Sequence, residues 1–71
     1  MLFDIDKMRA IRKSKGISQA KLADMTGIPL NTLAGWEQHR NRPKRINDLH
    51  NIAVVLDCYL DDFLADGRQL R

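Results

Sequence analysis

Residues 16–39 read GISQAKLADMTGIPLNTLAGWEQH, and the fold turns on where the serine, the glycines and the proline fall within that stretch. Ser18 is a strong N-cap, and Ala20, Leu22, Ala23 and Met25 follow it in a helical pattern that stops at Gly27, a residue suited to the position just past a helix end. Lys21 stands where a glutamate would complete a capping box, so this cap is expected to be weaker than a full one. Only Ile28 separates Gly27 from Pro29. A proline is tolerated at a helix start because its missing amide hydrogen would have had no partner there. The next helix therefore begins almost at once, with Leu33 and Trp36 three apart on its core face and Asn31, Thr32, Gly35 and Gln38 on its other faces. The two helices are expected over about residues 18–26 and 29–39.

Working outward, Ile5, Met8 and Ile11 recur at three-residue steps between a capping Asp4 and Gly16, which predicts a first helix over residues 5–15 with a basic exposed face. On the other side, Arg40-Asn41-Arg42-Pro43-Lys44-Arg45 is too polar and too punctuated to be anything but a loop. Ile46, Leu49, Ile52, Ala53 and Leu56 give a clean apolar stripe for a fourth helix, and Leu60, Phe63 and Leu64 a short fifth one ending before Gly67. Residues 67–71 read as a tail. No strand pattern, internal repeat or linker is present. The expectation is a single all-α domain, residues 1–71, folded as a five-helix bundle near the lower size limit for a core without staples.

Several function classes drop out. Cys58 is the lone cysteine, so no internal disulfide forms, and it has no histidine or cysteine at ligand spacing; His39 and His50 lie eleven positions apart with no ligand arrangement between them. No metal site or cofactor is expected, and no nucleophile, base and orienting group can be assembled into a catalytic site. Enzymatic activity is not expected. The longest apolar run, residues 52–56, is far short of the roughly 20 residues of a membrane span, and Met1-Leu2-Phe3-Asp4 is not a signal peptide. A soluble, cytoplasmic protein is expected.

Charge is distributed unevenly. Between positions 7 and 45 lie ten basic residues (Lys7, Arg9, Arg12, Lys13, Lys15, Lys21, Arg40, Arg42, Lys44 and Arg45) against Asp24 and Glu37, whereas residues 46–66 hold Asp48, Asp57, Asp61, Asp62 and Asp66 and no base. A compact domain with this asymmetry presents a positive face to polyanions. Two helices joined by a short glycine-containing turn, the second free to project, form the geometry that lays a recognition helix in the DNA major groove. The cations after that helix and along the first fall where phosphates would flank it.

At this point the sequence resembles the Cro and phage-repressor (xenobiotic response element, XRE) class of helix-turn-helix proteins. The resemblance rests on Gly16-Ile17-Ser18-Gln19, Leu22-Ala23, Gly27-Ile28, Thr32-Leu33 and Trp36-Glu37, continued by Leu49, Ile52-Ala53, Leu56, Leu60-Asp61 and Phe63-Leu64, and it covers roughly residues 7–64. It implies a lambda-repressor-like bundle that binds operator double-stranded DNA, often as a homodimer on palindromic sites, and acts as a repressor-like transcriptional regulator. Carried over by position, it places Gln19 against a phosphate and Leu30, Asn31 and Gly35 at base edges, with Thr32 nearer the sugar-phosphate backbone and Ala34 close by. With Pro29 at the helix start and Arg40, Arg42, Lys44 and Arg45 as phosphate contacts, these form the expected site. Asn31 is the side chain suited to a bidentate contact with adenine, and Leu30 to a thymine methyl. The sequence departs from the family pattern at Leu30 and Gly35, where members usually carry polar or charged side chains.

Trp36 is expected to be packing rather than a base-stacking residue, Glu37 a partner for a nearby arginine, and Cys58 a core residue. The competing reading is a protein-interaction module of the same fold that docks a toxin or larger regulator, including an antitoxin role. Leu30, Gly35, the apolar Leu2 and Phe3 and the acidic C-terminal half favour that reading.

Overall fold

The computed structural model describes residues 3–64. Four helices follow one another, α1 (Ile5–Ser14), α2 (Gln19–Thr26), α3 (Leu30–Glu37) and α4 (Ile46–Val55), and a single 3-10 turn closes the described chain at Leu60–Phe63. The all-α class is as the sequence predicts. The expected fifth helix is reduced to that one turn, and Gly67 and the tail lie outside the described residues.

Side chains at the predicted starts secure them. Asp4 accepts from the amides of Asp6 and Lys7, and the Ser18 hydroxyl accepts from the amide of Lys21 at 3.0 Å. Three helix ends share a second device, the paired closing hydrogen bonds of the Schellman motif. At α1, the amides of Ile17 and Gly16 reach the carbonyls of Arg12 and Lys13; at α3, those of Arg40 and His39 reach Gly35 and Trp36; at α4, those of Cys58 and Asp57 reach Ala53 and Val54. Each closure needs a left-handed residue. Gly16 supplies the first, but His39 (φ 62°) and Asp57 (φ 56°) supply the others, which is why α3 stops at Glu37 rather than at His39 as expected. No glycine advertises that stop.

The core is built from one stripe of each helix: Ile5 and Met8 of α1, Leu22 and Ala23 of α2, Leu33 and Trp36 of α3, Leu49, Ile52 and Ala53 of α4, joined by Ile28, Leu56 and Phe63. Trp36 is thus packing, as expected. Met25 and Ile46, assigned to helical apolar patterns, are about half exposed instead. Cys58 is half-buried against the core, and that burial, reinforced first by the nearby carboxylate of Asp62, raises its thiol pKa despite opposition from Lys15. The thiol therefore stays protonated at neutral pH.

The two ends of the described chain meet. The Asp4 amide donates to the Phe63 carbonyl at 2.7 Å within an isolated antiparallel bridge between Phe3 and Leu64, and the Phe3 and Phe63 rings pack edge to face at 6.0 Å. This bridge pulls Leu64 into an extended conformation and ends the 3-10 turn. It also accounts for Phe3, whose apolar side chain serves the core rather than an outside partner; Leu2 lies outside the described residues.

Between α2 and α3, Gly27 (φ 80°) occupies the left-handed region while its amide bonds the Ala23 carbonyl. The Thr26 hydroxyl donates to the Leu22 carbonyl at 2.8 Å and accepts from the Ile28 amide, so the turn has its polar groups paired as Ile28 drops into the core. Gly27→Ala, forced into a conformation that costs an L-residue roughly 1–2 kcal/mol, is expected to lower unfolding free energy by about that amount in urea titrations without changing the helical circular dichroism of the folded state.

Candidate nucleic-acid interface

What fixes α3 in place is a buried ion pair. Arg12 of α1 (6% exposed) and Glu37 at the end of α3 (2% exposed) meet in a bidentate contact, Nε to Oε2 and Nη2 to Oε1, both 2.8 Å. The third donor of the guanidinium, Nη1, reaches the Ile17 carbonyl at 2.7 Å, and the Gln19 side-chain amide donates to Glu37 Oε1 at 2.9 Å. A planar five-donor fork can grip a carboxylate with two parallel N–H bonds and still donate to a carbonyl, a geometry that the single nitrogen of lysine does not have. Among the described residues no buried side-chain nitrogen or oxygen is left without a partner. The expectation that Glu37 pairs with an arginine therefore stands, but the arginine is one counted towards the basic face of α1. Arg12 is withdrawn from that face and neutralised.

With Leu33, Trp36 and Glu37 turned inward, α3 leaves Leu30 (45% exposed) and Asn31 on the surface and Thr32 and Ala34 half-covered. Pro29 is the N-cap of α3 rather than its first helical residue, and no side chain caps that end, so the first-turn amides have no side-chain acceptor. The turn and the basic loop come together. Thr26, Gly27, Ile28, Pro29 and Thr32 line one open groove together with Arg42, Lys44, Arg45 and Asp48. Arg45 is also the N-cap of α4, whose first turn likewise has no side-chain cap.

The expected site residues therefore divide. Pro29, Thr32, Arg42, Lys44 and Arg45 share the groove; Leu30 and Asn31 are exposed at the start of α3; and Arg40 is exposed beyond the end of that helix. None of Arg40, Arg42, Lys44 and Arg45 is held in an ion pair among the described residues. Gln19 is not a free side chain, since its amide is committed in part to Glu37. Gly35 is buried, not open: the Arg40 and Asn41 amides bond its carbonyl, and the Asn41 side chain lies over its Cα. Sequence reasoning missed Asn41, which it left as an anonymous loop residue; the cue was the pairing of a side-chain-free helix position with a polar residue six positions on. His39, exposed, pairs through Nε2 with Asp6 Oδ1 at 3.0 Å, a link from the end of α3 back to α1. No cluster of three or more metal-ligating side chains occurs among the described residues, and no helix among them is long and apolar enough to cross a membrane.

Comparison with known proteins bears on this geometry. The HTH_3 helix-turn-helix family model matches residues 8–63. The HTH-type transcriptional regulator AnsR of Bacillus subtilis (strain 168) is 32% identical over 66 residues, which cover 93% of this chain and 56% of that protein. Among solved structures, an HTH_3 family transcriptional regulator from Vibrio cholerae superposes with a TM-score of 0.77 at 31% identity, over 92% of this chain and 36% of its own. A SinR protein/SinI protein complex superposes with a TM-score of 0.76 at 25% identity, over 90% of this chain and 62% of the matched one. The chain thus spans little more than half the length of the curated relative it matches.

Because removing one partner strands the other as a buried charge, Arg12→Ala is expected to cost about 3–5 kcal/mol. Arg12→Ala combined with Glu37→Ala should cost clearly less than the two single losses together, a coupling readable in a double-mutant cycle of urea unfolding.

Proposed function

The chain belongs to the HTH_3 family of helix-turn-helix proteins, and from that premise we propose that it is a DNA-binding transcriptional regulator of the repressor type, acting in the cytoplasm on double-stranded operator DNA. The observation that carries the proposal is the groove lined by Thr32, the α2–α3 turn and three cations, Arg42, Lys44 and Arg45, that have no ion pair among the described residues. Cations on one side of a projecting helix start can neutralise phosphates while the helix itself lies between the strands, and such contacts supply most of the affinity.

In this reading α3 enters the major groove with its N-terminal end first. Asn31 takes the bidentate pattern of adenine N6 and N7, Leu30 meets a thymine methyl, and Thr32 and Pro29 lie along the sugar-phosphate wall. Gln19 contributes chiefly through the N-terminus of α2, where the helix dipole favours a phosphate, because its side chain is already engaged with Glu37. The uncapped first turn of α4 beside Lys44 and Arg45 offers a second such position. A homodimer would place two α3 helices one helical turn of DNA apart, about 34 Å, and so select palindromic sites.

A second reading, docking of a protein partner, draws on exposed Leu30 and Met25 beside the same turn and on the likeness to a chain from the SinR/SinI complex. The two part company in one titration. Fluorescence anisotropy of labelled duplexes across a salt series is expected to give a log–log slope of about −0.9 per phosphate neutralised, and Arg42→Ala to flatten it by about one contact at every sequence. Asn31→Ala should leave the slope alone and cost about 1–3 kcal/mol only on the preferred site. Absence of duplex binding at low salt would end the DNA reading and leave the docking one.

A further inference from the structure

Asn31 and Gly35 are four residues apart and therefore share one face of α3, one helical turn from each other. Only the first carries a side chain. At the second, a β-carbon built on Gly35 would stand 3.0 Å from Asn41 Nδ2 and 3.8 Å from Arg40 Nη2, both side chains folded back over the helix from the loop. They are brought there by the closure of α3: with His39 left-handed, the Arg40 and Asn41 amides both bond the Gly35 carbonyl, at 2.9 and 3.3 Å. Gly35 itself has no positive φ among the backbone exceptions, so its glycine is not required by conformation. What it provides is room.

We propose that Asn41 is a specificity-determining residue that reads a base edge from the place a side chain of Gly35 would have held. The inference rests on the DNA-binding reading above. Asn41 is exposed, lines the same groove as Thr32, Arg42, Lys44 and Arg45, and ends in an amide with a donor and an acceptor side by side. That pair matches adenine N7 and N6 in the major groove, as the amide of Asn31 does one turn earlier. The helix thus carries two reading positions, one from its own sequence and one lent by the loop that follows it. A loop-borne reader is held less firmly than a helical one, and here the backbone hydrogen bonds of Arg40 and Asn41 to the Gly35 carbonyl hold the loop against the helix.

The test is selection of bound sequences by the 71-residue chain from a library of duplexes randomised across the site, followed by anisotropy titrations on the selected site and its single-base variants. Asn41→Ala is expected to lose preference at one adenine per half-site, distinct from the base pair lost in Asn31→Ala, with the selected-to-variant affinity ratio there falling by roughly 5- to 150-fold and the salt slope unchanged. Gly35→Ala, which crowds the Asn41 amide, should weaken preference at that same base pair while the helical circular dichroism stays intact. Adding it to Asn41→Ala should change the preference no further. Asn41→Ala selecting the same sequences as the unaltered chain, or weakening all duplexes equally, would overturn the assignment while leaving the DNA-binding reading in place. If the unaltered chain binds no duplex at low salt, both fall together.

Discussion

The bidentate contact between Arg12 and Glu37 governs the geometry of everything outside the core. Apolar packing is non-directional, and a bundle of this size could settle with α3 rotated or shifted along its axis at small cost. A guanidinium and a carboxylate taken out of water tolerate no such slack. Each is nearly inaccessible, and each must meet its partners at hydrogen-bond distance or be left as an uncompensated charge. Because the same guanidinium also holds the Ile17 carbonyl, and the same carboxylate the Gln19 amide, α1, the start of α2 and the end of α3 are fixed against one another by a single cluster. Desolvating two charges offsets much of what their attraction gains, so buried ion pairs often add little over apolar residues of the same volume. The cluster specifies an orientation.

Orientation is what the surface then exploits. Once α3 is held by its C-terminal Glu37 and by Leu33 and Trp36, Leu30 and Asn31 of its first turn are exposed, and the left-handed His39 sends the chain back over Gly35 instead of away from it. The polar loop is thereby laid beside the helix, and Arg42, Lys44 and Arg45 arrive on the side of the α2–α3 turn. Among the described residues, none of these three cations has an ion pair that would have to be broken before it met an anion. Arg12, buried against Glu37, is the arginine committed to the scaffold.

Much of this was legible in the residues themselves. Ser18, Gly27 and Pro29 marked the ends of α2 and the start of α3, and Asp4 and Gly16 those of α1, because caps and left-handed turns are local chemistry that a few neighbouring residues decide. The spacing of Leu33 and Trp36 assigned the inner face of α3 for the same reason. Less legible were features whose cause lies far along the chain: the fifth helix shrinks to one 3-10 turn because Asp4 and Phe3 pair with Phe63 and Leu64 across nearly the whole described chain. The early stop of α3 was hidden by a histidine doing what a glycine usually does.

Local pattern, then, determined the helical class and the positions of the α2–α3 turn and the basic loop, and the family resemblance named the candidate residues at the start of α3. Only the tertiary structure decided which of the ten basic residues face solvent beside that helix and which is buried, that Gln19 is tied to Glu37, and that Gly35 is covered by Asn41. The division has one physical reason. Backbone propensity and capping act over a few residues and are written in adjacent letters, whereas burial of a charge and the filling of a vacant helix face depend on partners that only folding brings within hydrogen-bond reach.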